Sequence, residues 1–309
     1  MALSPSLMLP LPARYHLCTQ LGEGHYSRVF QAEDVYTGQL VAIKQTRADL
    51  SESELAFARM LLRREATLLS SLAYQGLAAL LDEHIDAQQH ALIQEFVPGE
   101  TLETVLDRRF LTLKEILQIG IDLCAVLDYL HTREPPVIHR DVKPANILLR
   151  EDSRLAALID FGIARRFTAH ARGSASHRWR PGQPIRRVCD TLTNLGTIGY
   201  AAPEQYGEDA QTTPRSDFFS LGVILHQMLT GEDPASASKV SLPTLFQLSS
   251  LAGRAHPGLA DLVATLVQVD PQHRPASAAA VQHILLGLLL DLHSVPGNRL
   301  APQFFSLAR

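Results

Sequence analysis

Cysteine is scarce in this chain of 309 residues: three, at positions 18, 124 and 189. Residues so few and so widely spaced exclude a disulfide framework and a cysteine-based zinc site, and they favour a reducing, cytoplasmic setting. Long apolar runs are missing as well. The longest near the C-terminal end, 284–290, is far shorter than the ~20 residues a membrane helix needs. A formal charge of −4 supplies no overall field that would draw the chain to nucleic acid or to a membrane surface. Internal repeats and long low-complexity segments are absent. The first residues lack a basic leader and are broken by Pro5, Pro10 and Pro12, so 1–13 is expected to be a flexible lead-in and not a secretion signal. What remains is ordinary globular material, 46% apolar and 19% charged, enough for one large or two modest domains.

The informative stretch is V-I-H-R-D-V-K-P-A-N-I-L-L at 137–149. Two apolar runs bracket His139, Arg140, Asp141, Lys143 and Asn146. A buried segment carries five such groups only when they act together. A carboxylate, an ammonium and an amide aimed into one cleft suit phosphoryl transfer. Asp141 can accept the proton of an attacking hydroxyl, Lys143 can neutralise the moving phosphoryl group, and Asn146 can hold a metal ion. The pattern H-R-D-x-K-P-x-N resembles the catalytic loop of protein kinases, and the Lys two residues after the Asp resembles their serine/threonine branch.

Further resemblances follow in chain order. L-G-E-G-H-Y-S-R-V-F at 21–30 is similar to the kinase glycine-rich loop, with Ser27 in place of its third glycine. The resemblance implies Gly22, Gly24 and Ser27 near the nucleotide phosphates and Val29 on the adenine ring. L-V-A-I-K at 40–44 reads as a buried strand ending in one cation. It is similar to the V-A-I-K motif, with Ala42 in the nucleotide pocket and Lys44 gripping phosphates. A helix over 53–72 is supported by its Leu, Ala, Glu and Arg content. Spacing favours Glu65 as the partner of Lys44, with Glu54 as the alternative. Strands are expected at 78–84 and 91–97. Q-E-F-V-P-G at 94–99 resembles the hinge, placing Gln94 as a polar gatekeeper and implying adenine pairing by the backbone of Glu95 and Val97. Leu148 is expected in the same nucleotide pocket. A helix over 113–132 carries Ile116, Ile119, Leu123, Leu127 and Leu130 at helical spacing, and packing is the expected role of Cys124 and His131.

D-F-G at 160–162 follows Asp141 by 19 positions. At that distance the resemblance makes Asp160 a second metal ligand, with Phe161 and Gly162 as structural companions. Between 163 and 188 stand seven arginines (165, 166, 172, 178, 180, 186 and 187) and no acidic residue, so from a total of −4 the rest of the chain carries −11. This stretch, which also holds Trp179, reads either as a solvated insert or as a docking strip for an acidic partner. G-T-I-G-Y-A-A-P-E-Q-Y-G at 196–207 is similar to the end of the activation segment in bacterial eukaryotic-like kinases, cyanobacterial ones above all. Thr197 would bridge Asp141 and Lys143. Thr193, then Thr191, match activating phosphosites that Arg140 would receive, with help from Arg165 and Arg166. D-F-F-S-L-G at 217–222 places Asp217 as a brace of the catalytic loop, with Phe219 where the family has Trp. D-P-Q-H-R-P at 270–275 supplies Arg274 as the buried partner of Glu204.

Taken together these motifs identify residues 15–290 as similar to a Hanks-type serine/threonine protein kinase. The expected fold is α+β and bilobal. A small β-rich N-lobe (14–97) with one regulatory helix precedes a larger, mainly helical C-lobe (98–290), with an activation segment at 160–204 and a tail at 291–309. The implied cofactors are ATP and Mg2+, with Mn2+ as the alternative ion. Protein substrates and a transient homodimer for trans-autophosphorylation are the implied partners, with no nucleic acid. Ala145, where arginine-directed kinases often carry an acid, implies no strict demand for basic substrates. The rivals are a pseudokinase scaffold or nucleotide-binding regulatory module, against which every catalytic residue speaks, and a small-molecule kinase, whose relatives lack the A-P-E close.

Overall fold

Five antiparallel strands come first: β1 (Tyr15–Glu23), β2 (Ser27–Asp34), β3 (Gln39–Thr46), β4 (Leu80–Ile85) and β5 (His90–Glu95), in the order β1-β2-β3-β5-β4. The computed structural model describes residues 13–86, 89–153, 155–167, 196–206, 212–234 and 256–294. Strand alternation decides what the sheet does with its central strand. Val41 and Ile43 of β3 enter one core with Tyr15, Ala32, Ala91 and Ile93. The intervening Ala42 and Lys44 face the other way, beside Val29, which pairs with Lys44, and Gln94, which pairs with Ala42. That second face becomes the wall of a cleft.

Helix α1 (Glu52–Leu69) crosses this sheet. Its start is fixed by a capping box, in which the Ser51 hydroxyl accepts the Glu54 N–H and the Glu54 carboxylate accepts the Ser51 N–H. Leu62 and Ala66 pack on Leu92, which carries Glu65 into the interior with them. The helix stops three residues short of the expected 72. The Ser70 and Ser71 hydroxyls donate to the carbonyls of Thr67 and Leu68, a local alternative to helical bonding.

The second part of the chain is mainly helical. It comprises β6 (Gly99–Thr101), α2 (Leu102–Arg108), α3 (Leu113–His131), β7 (Val137–Ile138), β8 (Ile147–Arg150), β9 (Ala156–Leu158), β10 (Arg165–Arg166), α4 (Pro214–Thr230), α5 (Pro257–Leu266) and α6 (Ala278–Ser294). The architecture is thus α+β and bilobal. The stripe Ile116, Ile119, Leu123, Leu127 and Leu130 of α3 is buried at the spacing its sequence shows. Helix α4 is buried along nearly its whole length, its polar Ser216, Asp217, Ser220 and His226 included, so it forms the lobe's axis. Gly222 lets α5 lie against it, since a Cβ there would stand 2.6 Å from the Leu266 Cβ. Helix α6 runs to Ser294, taking in the first four residues of the expected tail, because the apolar 284–290 stretch is helix. No helix of the described residues is long and apolar enough to cross a membrane.

Cys124 lies within the α3 core and burial pushes its thiol pKa up, whereas Cys18 is exposed on β1. A maleimide is therefore expected to label Cys18 in the native protein and Cys124 only after denaturation, as read by peptide mass spectrometry. Equal labelling of the two would contradict this packing.

Candidate active site

The loop between β7 and β8 bends sharply enough to put Arg140, a non-glycine residue, at φ 72°. Such a backbone persists only if its surroundings over-determine it. Asp217, fully buried in the first turn of α4, does this. One carboxylate oxygen accepts the His139 N–H at 3.0 Å and the other accepts the Arg140 N–H at 2.8 Å. His131 at the end of α3 donates to the same carboxylate at 2.8 Å. Burial alone would raise the Asp217 pKa, but the His131 bond and the loop N–H groups hold it below its ordinary value. His131 therefore does more than pack. Gln205 braces the loop from the opposite side, its amide donating to the Arg140 carbonyl at 2.9 Å. The His139 ring meets the edge of Phe161, with centroids 4.7 Å apart.

The two oxygens of Asp141 are held separately. One accepts the Thr197 hydroxyl at 2.7 Å and the Thr197 N–H at 3.1 Å. The other accepts the Lys143 ammonium at 2.8 Å and the Asn146 amide at 3.0 Å. Lys143 also donates to the Thr197 hydroxyl at 2.7 Å, so four groups named from the sequence close one network. Gly196 makes room for Thr197. Its φ of 152° and the 2.7 Å that a Cβ would leave to the Ala201 Cβ leave no space for a side chain. The Asn146 amide nitrogen also donates to the Asp141 carbonyl, which leaves its oxygen without a partner among the described residues.

Lys44 stands at the other wall. Its ammonium lies 3.0 and 2.8 Å from the two oxygens of Glu65 and 2.6 Å from Asp160. Glu54, the alternative partner, instead caps α1. One cation thus faces two carboxylates. Burial would lower the Lys44 pKa, but the two carboxylates raise it overall, so the group stays protonated at neutral pH. For Asp160, burial would raise the pKa and Lys44 outweighs it, holding the carboxyl well below the usual range. Glu65, buried more deeply, is pushed up by desolvation in spite of Lys44. It also accepts the Phe161 N–H at 3.2 Å, which joins α1 to D-F-G. Asp160 has φ 64°, and its carboxylate accepts the Gly162 N–H at 3.1 Å. The two walls meet where the Ile159 N–H donates to the Asn146 carbonyl at 2.9 Å, setting Asn146 and Asp160 side by side.

Gly22 pairs with Val29 across the β1–β2 hairpin, and the Gly24 N–H bonds the Ser27 carbonyl at 2.8 Å. A Cβ on Gly22 would meet nothing within 4 Å, so this glycine answers no packing demand, whereas one on Gly24 would reach the Ser27 carbonyl oxygen at 3.6 Å. Leu148, half-buried on β8, pairs with Thr101 and Ala157. At the end of β5, where the hinge is expected, the Glu95 N–H donates to the Ala79 carbonyl and its side chain meets Arg150 at 3.2 Å. Val97 is buried, yet its N–H and carbonyl find no partner among the described residues.

Among the described residues no three His, Cys, Asp or Glu side chains gather as a metal cluster. Asn146 and Asp160 nonetheless fit a hard cation. Both offer oxygens, and the Asp160 side chain is 45% exposed with one oxygen not engaged by Lys44. Such a pair suits an ion that takes its other ligands from phosphate and water.

Glu204 and Arg274 form a bidentate pair at 2.7 and 2.9 Å. Arg274 also lies over the Phe219 ring, 5.1 Å from its centroid, so phenylalanine serves as the aromatic floor there. Arg165 and Arg166, the start of the basic stretch, pair with β7, and Arg166 bonds the Ser71 hydroxyl at 2.7 Å. Thr191, Thr193, Trp179 and the rest of that stretch lie outside the described residues. Sequence reasoning missed Gln205 and the Arg150–Glu95 pair. Gln205 directly follows A-P-E, which is the one hint it offered.

Comparison with known proteins places residues 15–286 in the protein kinase domain family. The chain is 31% identical, over 88% of its length, to serine/threonine-protein kinase PknB of Mycobacterium tuberculosis, of which the match covers 42%. It is 30% identical to a probable serine/threonine-protein kinase PknB of Lactococcus lactis, over 72% of this chain and 32% of that one. It is 35% identical to the proline-rich receptor-like protein kinase PERK15 of Arabidopsis thaliana, over 71% of this chain and 39% of that one. The chain thus spans less than half the length of these relatives.

Proposed function

The chain belongs to the protein kinase family, and from that premise we propose that it is an ATP-dependent serine/threonine protein kinase. The observation that carries this is the closed network of Asp141, Lys143, Asn146 and Thr197 beside the Lys44–Asp160 pair. Asp141 orients a substrate Ser or Thr hydroxyl and takes its proton as the oxygen bonds to the γ-phosphorus and the bond to the ADP oxygen breaks. Lys143 meets the charge on the phosphoryl oxygens in transit. Lys44, steadied by Glu65, holds the phosphates of the nucleotide. Asn146 and Asp160 would hold Mg2+ or Mn2+, which when bound neutralises phosphate charge. The unpaired Val97 peptide at the hinge supports adenine pairing there, between Val29, Ala42 and Leu148. Incubation with Mg-ATP and a generic protein substrate tests the reading: phosphoserine and phosphothreonine are expected. Nucleotide binding without any phosphate incorporation would favour a scaffold role instead.

Regulation by activation-segment phosphorylation belongs to the same proposal. The Arg140 guanidinium is buried with no carboxylate partner among the described residues, and it donates only to the Ile163 carbonyl at 3.4 Å. Burial, with Arg165 nearby, pulls its pKa down to about 10. A phosphate on Thr193 would complete this site, and Thr191 is the second choice. Thr193→Ala is expected to lower turnover roughly tenfold against the phosphorylated parent, a typical coupling size. Equal turnover of the two would sink the assignment. Phosphorylation in trans would pass through a transient homodimer, and the arginine-rich stretch would take an acidic docking partner. The scarcity of cysteine supports a cytoplasmic setting.

A further inference from the structure

His25 and Tyr26 form the tip of the β1–β2 hairpin and have no part in the phosphoryl-transfer network. A bond from the Gly24 N–H to the Ser27 carbonyl closes the turn that carries them. Turns favour small or polar residues, so an aromatic ring at a tip calls for a partner. Tyr26 has one. Its half-buried ring meets the ring of Phe57, in the second turn of α1, edge to face, with centroids 5.2 Å apart and planes at 61°. The His25 ring stands against Tyr26 in the same manner, at 4.5 Å and 88°. Aromatic pairs of this geometry contribute beyond the area they bury.

The backbone beneath the ring is held as well. The Arg47 N–H donates to the Tyr26 carbonyl at 3.2 Å, and the Arg47 guanidinium reaches the Gly24 carbonyl at 3.4 Å and Glu23 at 3.2 Å. Arg28, buried on β2, meets Glu23 at 3.2 Å. These bonds tie the tip to the sheet, and the aromatic pair ties it to the helix. Ser27 pairs with Thr46 and Val29 with Lys44, so the tip stands beyond the end of the strand that carries Lys44. Along α1, Phe57 precedes Glu65 by eight residues, about 12 Å of helix. One helix therefore meets the hairpin through its first half and Lys44 through its second.

We propose that Tyr26 is a positioning residue that, docked on Phe57, holds the hairpin closed over the nucleotide phosphates and ties that closure to α1. The proposal rests on the assignment of ATP to this cleft. Without the contact the hairpin is closed for only a fraction of the time, and affinity for a phosphate-bearing nucleotide falls by that fraction. Calorimetric titration of the full chain with Mg-ADP, and with adenosine, which carries no phosphate, tests it. Tyr26→Ala and Phe57→Ala are each expected to weaken ADP roughly fivefold, the size of one aromatic pair, while adenosine affinity stays unchanged. The double variant is expected to lose no more than either single one, because both remove the same contact. Tyr26→Phe keeps the ring and is expected to keep the parent's ADP affinity. Equal losses for ADP and adenosine, losses that multiply in the double variant, or tighter ADP binding in Tyr26→Ala would each overturn the proposal. ADP binding unmoved by every variant would overturn it alone, whereas a parent that binds neither ligand would remove the nucleotide assignment and this proposal with it.

Discussion

Exchange of Asp141 for Asn is expected to slow phosphoryl transfer to a peptide hydroxyl by roughly 10³-fold, the middle of the range for a lost general base. The substitution keeps the shape and removes the charge. It also sets an NH2 group against donors on one side or the other, because the two carboxylate oxygens accept from Thr197 on one side and from Lys143 and Asn146 on the other. Thr197 can rotate its hydroxyl, so the structural cost is one or two weakened bonds in a partly exposed site. That corresponds to a fall in melting temperature of about 5 °C or less. Nucleotide affinity, assigned to Lys44 and the hinge in the proposed function, is expected to stay within about threefold of the parent, since only groups acting on the transition state are touched. Steady-state kinetics, nucleotide titration and calorimetry on the same sample separate the three. Retention of a tenth of the activity would remove Asp141 from the role of base, and a collapse in melting temperature would make it a structural residue.

Much of this site was legible because its residues are close in sequence. Asp141, Lys143 and Asn146 share one loop, and their mutual geometry follows once β7 and β8 anchor its ends. Longer-range partners were legible only where a charge demanded one. Glu65 could be chosen over Glu54 by its place along α1, yet only the capping box at Ser51 shows what Glu54 does instead. His131 read as a packing residue because nothing local reveals that a carboxylate from α4, 86 positions on, reaches it. A cavity of about 480 Å³ lined by Leu69, Glu95 and Ser153 was illegible for a stronger reason: its walls come from a helix end, a strand and a turn, each ordinary by itself, and the void exists only in their relative placement. The end of α1 was displaced by three residues for a local cause, hydroxyls competing for carbonyls, which a pattern of apolar periodicity does not register.

The largest effect on stability is expected at Glu204. The Arg274 side chain is 0% exposed, and its five donors are all used: two by Glu204 and the others by the carbonyls of Gln268, Arg215 and Val269. Glu204→Ala leaves a buried guanidinium with two donors unpaired and its charge uncompensated, a change that costs about 3–5 kcal/mol in comparable buried pairs. At about 2–4 °C per kcal/mol for a chain somewhat smaller than this one, the melting temperature is expected to fall by roughly 10 °C. The Ser216 hydroxyl, which donates to the same carboxylate at 2.8 Å, loses its acceptor too. Glu204→Gln keeps one acceptor in place and is expected to cost about half as much. The pairing with Arg274 is separable from a mere loss of packing. In Glu204→Ala/Arg274→Met the stranded charge is gone, so the double variant is expected to recover part of the loss, with Met taking the place over the Phe219 ring that the guanidinium held. A double variant less stable than either single one would mean that the two side chains act independently, and that the carbonyl bonds of Arg274 alone hold the end of the activation segment against α4.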